Sequence, residues 1–243
     1  MYQFTHDSAP RIIRGYDYAT HPEALKKIFS KTFLWMTLAL AISGLTAYLV
    51  SGTQWALSLL QSPLIWVLLV AEVALVWILS AAINRMSLAV AAGMLFVYAA
   101  LNGVTLSFIF LAYTASTIYK AFIITAGTFA VMTVVGLTSK IDFSKWHKVL
   151  FMALIGIVVA SVINIFLKSN PLDWIISIVG VLLFTGLTAY DVHRIRQMAE
   201  GMADPSDSNA VGKVAVLGAL TLYLDFINLF LYILRILGRL NRN

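Results

Sequence analysis

Cysteine is absent from the 243 residues, which excludes a disulfide framework, a thiol catalyst and any cysteine-based metal site. Charge is scarce as well: Asp, Glu, Lys and Arg make up 12% of the chain, where a soluble domain is about a quarter charged. No His-Glu-x-x-His, phosphate-cradling glycine loop or serine elbow occurs, so the sequence reads as a non-enzyme. What fills the chain is apolar, at 60% of residues. A water-facing fold of this length has no interior large enough for that surface, so the solvent is lipid. The net charge of +6 sits at the ends of the apolar runs, as membrane topology demands. No basic stripe with interleaved aromatics appears, so nucleic acid is not an expected partner.

A bilayer core takes about 20 mostly apolar residues per helix. Seven runs qualify: Thr32–Val50, Leu64–Ala82, Leu88–Ala112, Ala121–Leu137, Val149–Phe166, Trp174–Asp191 and Val214–Leu237. The runs are continuous rather than alternating, which rules out barrel strands. The breaks carry loop chemistry, and the longest is Met198 to Asn209 around Asp204-Pro205-Ser206-Asp207. The fold class is an all-α integral membrane protein of seven spans. Residues 1–31 form a tail, 32–237 the membrane domain and 238–243 a short C-terminal tail. A cleaved signal would place an apolar region much nearer Met1, so the tail is predicted to be mature, cytosolic and partly disordered. Gly44–Tyr48 recurs word for word as Gly186–Tyr190, but nothing around the two copies aligns.

Lys and Arg set the orientation. The tail holds Arg11, Arg14, Lys26, Lys27 and Lys31, and the loops on its side hold Arg85, Lys140, Lys145, Lys148, Arg194, Arg196 and Lys213. The opposite loops carry Lys120 and Lys168. The N-terminus is therefore predicted to be cytosolic. Seven spans then put Arg235, Arg239 and Arg242 outside. Either earlier helices overrule these late charges, or the last segment is re-entrant.

A carboxylate near the bilayer centre costs at least about 2.5 kcal/mol, so each one demands an explanation. Glu72 lies deep in the second span, Asp191 ends the sixth and Asp225 lies within the seventh. Thr221, Asp225 and Asn228 share one helical face, a polar stripe that must point into the bundle. Each acid has a plainer reading too: Glu72 and Asp225 as buried helix glue, Asp191 as an interfacial ion pair with Arg194. Arg85 reads equally as a topology signal. Asn102 and Asn164 are expected to bridge helices, and His147 and His193 to be solvated at the membrane edge.

Two elements resemble a known family. Tyr190-Asp191 closes one helix, and Leu220-Thr221-Leu222-Tyr223-Leu224-Asp225-Phe226-Ile227-Asn228-Leu229-Phe230 fills the last. Together they are similar to the Bax-inhibitor family, the transmembrane Bax inhibitor motif proteins. The resemblance implies six helices around a central C-terminal seventh and a pH-sensitive calcium leak. In eukaryotic members it also implies suppression of cell death. Carried over, Asp191 and Asp225 would be the paired aspartates that share a proton and sense pH. Glu72 would be the acid of the ion path, with Arg85 the nearest candidate for the arginine latch. Calcium, as transported ion, would draw oxygen ligands from Asp191, Asp225, Glu72 and nearby groups such as Thr221 and Asn228. No resident cofactor is expected, the partners are calcium and the lipid bilayer, and any protein partner is unknown. The expected location is a bacterial inner membrane.

Other classes compete. An intramembrane aspartyl protease also pairs aspartates on helices six and seven, but its Gly-x-Gly-Asp is Tyr223-Leu224-Asp225 here and its Pro-Ala-Leu element is missing. A retinal protein would need a lysine within the last span, and none is there. A proton-coupled transporter of another small solute, or a regulatory membrane protein acting through partners, remains compatible with the residues.

Overall fold

The computed structural model describes residues 22–139, 143–202, 204 and 206–241. Residues 1–21 of the expected cytosolic tail, with Arg11 and Arg14, lie outside it, as do Lys140, Pro205 and Arg242. Among the described residues eight α-helices follow one another: α1 (Pro22–Ser51), α2 (Gln54–Gln61), α3 (Leu64–Ala82), α4 (Leu88–Ala112), α5 (Ala115–Thr138), α6 (His147–Leu167), α7 (Asn170–Glu200) and α8 (Ser208–Leu240). Seven of these are long and apolar enough to cross a membrane. The eighth, α2, is about 12 Å long, too short to span.

Large apolar side chains point outward along the spans, among them Phe166, Trp77 and Val70 at 80%, 73% and 69% exposure. In water that surface would be ruinous; in hydrocarbon it is the proper coat of a bundle. The polar backbone is satisfied within each helix, and short turns are closed by side chains. Ser87 caps α4 and Thr114 caps α5, each accepting a bond from a first-turn N–H. Lys168 turns the chain in the left-handed region, and Asn164 Oδ1 accepts the Ser169 N–H at 3.0 Å. Asn164 thus serves a turn and not a helix bridge.

Several element boundaries differ from the sequence reading, among them the starts of α5 at Ala115 and of α8 at Ser208, each six residues earlier than the apolar runs suggest. The first helix starts at Pro22, because Leu25, Ile28, Phe29 and Thr32 recur at helical spacing and Ile28, Phe29 and Thr32 are buried. The sixth span runs on from Asp191 to Glu200, since Val192, Ile195 and Ala199 keep a buried face. The last segment is one unbroken helix of 33 residues, so it does not turn back as a re-entrant hairpin.

The last helix, α8, has the longest buried face and packs against α1, α3, α4, α5 and α7. Backbones approach closely where glycine allows it. A Cβ on Gly103 would stand 2.6 Å from the Ser43 carbonyl of α1, and one on Gly136 would stand 2.6 Å from the Ala189 carbonyl of α7. The second contact lies beside Asp191.

Candidate functional site: a buried carboxyl pair and a polar chain across the last helix

Asp191 and Asp225 face each other across the α7–α8 interface with their side chains hydrogen-bonded together. They are 7% and 4% exposed. A carboxylate only accepts, so a bond between two carboxyl groups contains a proton. Asp225 Oδ2 is buried with no hydrogen-bond partner. Arg194, the alternative partner of Asp191, is exposed and acts on it through space. The ion pairs among the described residues lie elsewhere: Arg196 with Glu200, and Asp173 with Arg235 and Arg239.

Glu72 lies apart from that pair. Thr105 Oγ1 donates to its Oε1 at 2.5 Å and Asn102 Nδ2 donates to its Oε2 at 3.3 Å. The Tyr223 hydroxyl donates to Asn102 Oδ1 at 2.9 Å. Ser43 Oγ lies 2.6 Å from that hydroxyl and 2.7 Å from the Ala99 carbonyl. A polar chain therefore joins α3, α4, α8 and α1 through the core. Tyr223 precedes Asp225 by two residues, about 200° around the helix, so the two polar centres lie on opposite sides of α8. Among the described residues no three acidic or histidine groups come together as a metal cluster. The set Asp191, Asp225 and Glu72 is thus divided by α8.

The other candidates have ordinary local partners. Thr221 Oγ1 donates to the Leu217 carbonyl at 3.1 Å, and Asn228 Nδ2 to the Leu224 carbonyl at 2.8 Å, both along α8 itself. Arg85 is exposed at the end of the 3-10 turn after α3, about 20 Å along the chain axis from Glu72. His147 Nδ1 lies 3.0 Å from the Tyr190 hydroxyl. His193 is not simply solvated: its Nδ1 is buried without a partner, and its ring lies 5.4 Å from Phe143. Ser43, Tyr223 and Asp173 were not singled out from sequence. Ser43 and Tyr223 are routine in an apolar helix, and only the fold reveals their convergence on Asn102.

Asp173 has a separate role at the far end of the bundle. It pairs with Arg235 at 3.2 Å and with Arg239, whose guanidinium also donates to the Asn170 carbonyl at 3.2 Å. Two of the three late arginines that resist the charge rule are held there by an acid.

A seven-helix membrane bundle with a hydrogen-bonded carboxyl pair between its last two helices defines the class. The chain matches the family described as "Inhibitor of apoptosis-promoting Bax1" over residues 25–243. It is 43% identical over 225 residues to the inner membrane protein YbhL of Escherichia coli K12, covering 91% of this chain and 96% of that protein. A protein of Borreliella burgdorferi is 43% identical over 215 residues, 88% and 92% of the two chains. A membrane protein of Streptococcus pyogenes serotype M3 is 37% identical over 225 residues, 91% and 96% of the two. The chain belongs to the Bax-inhibitor family.

Proposed function

We propose that this protein is a pH-sensitive calcium leak of a bacterial inner membrane, with its N-terminus cytosolic and no catalytic activity. The observation that supports the reading most is the buried, hydrogen-bonded pair Asp191–Asp225. Two carboxyl groups in contact titrate as one unit, and the proton between them holds α7 to α8. When pH rises and that proton leaves, two anions face each other in a medium of low dielectric. The repulsion is relieved by separating the helices or by admitting a cation. Calcium takes six to eight oxygen ligands, so a carboxylate pair would hold it only with water and neighbouring carbonyl or hydroxyl groups. That suits passage better than tight storage. Glu72 serves as a second station on the ion path, and Thr221 and Asn228 can lend oxygens when α8 shifts. Arg85 would act as latch only after a movement of α3, given its distance from Glu72.

The test is calcium entry into dye-loaded proteoliposomes from about pH 5 to about pH 8. Wild type should leak more as pH rises, and Asp191→Asn or Asp225→Asn should each flatten that dependence. Absence of calcium flux at every pH would sink the proposal and favour proton-coupled movement of another solute.

A further inference from the structure

Helix α1 packs on α4 and α8, and α5 packs on α7 and α8, without a packed interface between α1 and α5. Two cavities of about 570 and 320 Å³ lie end to end in the gap and share Leu40, Phe122 and Phe226. Together they form one groove from Phe33 to Ala47 of α1, about 21 Å of helix, with Phe226 of α8 as its floor. The walls are apolar and partly small: Ala41, Gly44, Ala126 and Ala130 leave the space open. A Cβ at Gly44 would touch nothing within 4 Å.

The groove opens between outward-facing helices, so hydrocarbon is its natural content. Its volume, spread over that length, is too slender for a helix about 10–12 Å across, but it accommodates extended acyl chain. The end nearest the start of α1 carries charge. Lys26 and Ser30 continue the Phe33–Thr37 stripe at helical spacing and both are exposed. Lys27 and Lys31 lie beside them, and Glu23 is the acid of that first turn. Thr133, whose hydroxyl has no partner, lines the groove at this same end. A lipid would place there, in order, a headgroup phosphate and its ester carbonyls.

From this geometry we infer that the α1–α5 groove is a binding site for an anionic diacyl phospholipid, with a chain between the helices and its phosphate at Lys26 and Ser30. The bound chain would rest on Phe226, next to Asp225, and against Ser43, the end of the polar chain through Tyr223. The site does not depend on what the protein conducts.

The test uses intact-complex mass spectrometry of the full chain, washed in detergent with equal phosphatidylglycerol and phosphatidylcholine. Wild type should retain phosphatidylglycerol preferentially. Lys26→Gln should lower that preference about fivefold, the worth of one basic residue near an anionic headgroup. Ala126→Phe, which fills the groove, should remove retention of both lipids, while Val158→Phe on the outward face of α6 should change nothing. Equal retention of the two lipids, or the same loss from Val158→Phe, means an ordinary lipid annulus and overturns the site. A dimer that Ala126→Phe dissolves would make a second copy the occupant instead. If Ala126→Phe does not fold, Lys26→Gln still decides.

Discussion

At the scale of single residues, the groups that matter are those whose polarity has no business in hydrocarbon. Tyr223 is fully buried, its ring set edge-on to Tyr98 at 5.7 Å and its hydroxyl shared between Asn102 and Ser43. Tyr223→Phe keeps the ring and strips the hydroxyl, leaving Asn102 Oδ1 and Ser43 Oγ each short of a partner. We expect a loss of about 1–3 kcal/mol, read as a lower unfolding midpoint in detergent. An unchanged midpoint would mean the chain of bonds carries no stability. Glu72, Asp191 and Asp225 were legible in the sequence because a charge inside an apolar run stands out at once. The pairing of Asp191 with Asp225 came only through the family resemblance, and the Thr105 and Tyr223 links around Glu72 were not legible, because Thr and Tyr are common in membrane helices and spacing along one helix says nothing about another. Asn102 was read correctly as a bridge, and Asn164, four residues before the turn at Lys168, was not.

Among elements, the decisive feature is how closely α5, α7 and α8 approach. Gly136 meets the Ala189 carbonyl and Val192, on the turn that carries Asp191. A bulky side chain there pushes α5 off α7 and releases one wall of the carboxyl pair. Gly136→Leu should destabilise the fold by about 1–3 kcal/mol through overpacking. It should also weaken the pH dependence of any flux, although residue 136 does not titrate. Retention of full pH dependence would show that α7 is positioned without α5. The sequence located α3 and α4 to the residue, since both are bounded by sharp polar turns. It ended the sixth span at Asp191 because Arg194 and Arg196 suggest an interface, whereas the buried Val192, Ile195 and Ala199 carry the helix on. The α7–α8 turn has its own anchor. Asp204 accepts from the Ser206 hydroxyl and N–H, and these bonds hold its carboxyl below the usual carboxylate range. The turn therefore keeps its bonds at neutral pH and loses them only as pH falls through that lowered value. Changes on the alkaline side belong to other groups.

For the whole molecule, topology follows from unbroken helices and from where the charges end up. With a cytosolic N-terminus, Thr53 faces outward and Ser206 inward. The chain has no cysteine, so Thr53→Cys and Ser206→Cys give single reporters without further engineering. In intact cells an impermeant thiol reagent should label Cys at 53 and spare it at 206; the reverse pattern would invert the assignment. Of the two readings the sequence left open for Arg235 and Arg239, the unbroken α8 removes the re-entrant one, and both arginines pair with Asp173, 62 residues from Arg235.

In the proposed function, one shared proton between Asp191 and Asp225 governs the protein. Infrared titration of the carboxyl C=O band in lipid, compared between wild type and Asp225→Asn, tests it most directly. A shared proton should give a protonated-carboxyl band that fades as pH rises, in step with calcium flux, and that shifts or vanishes in Asp225→Asn. A band in wild type that persists while flux rises, or one that Asp225→Asn leaves untouched, would contradict it.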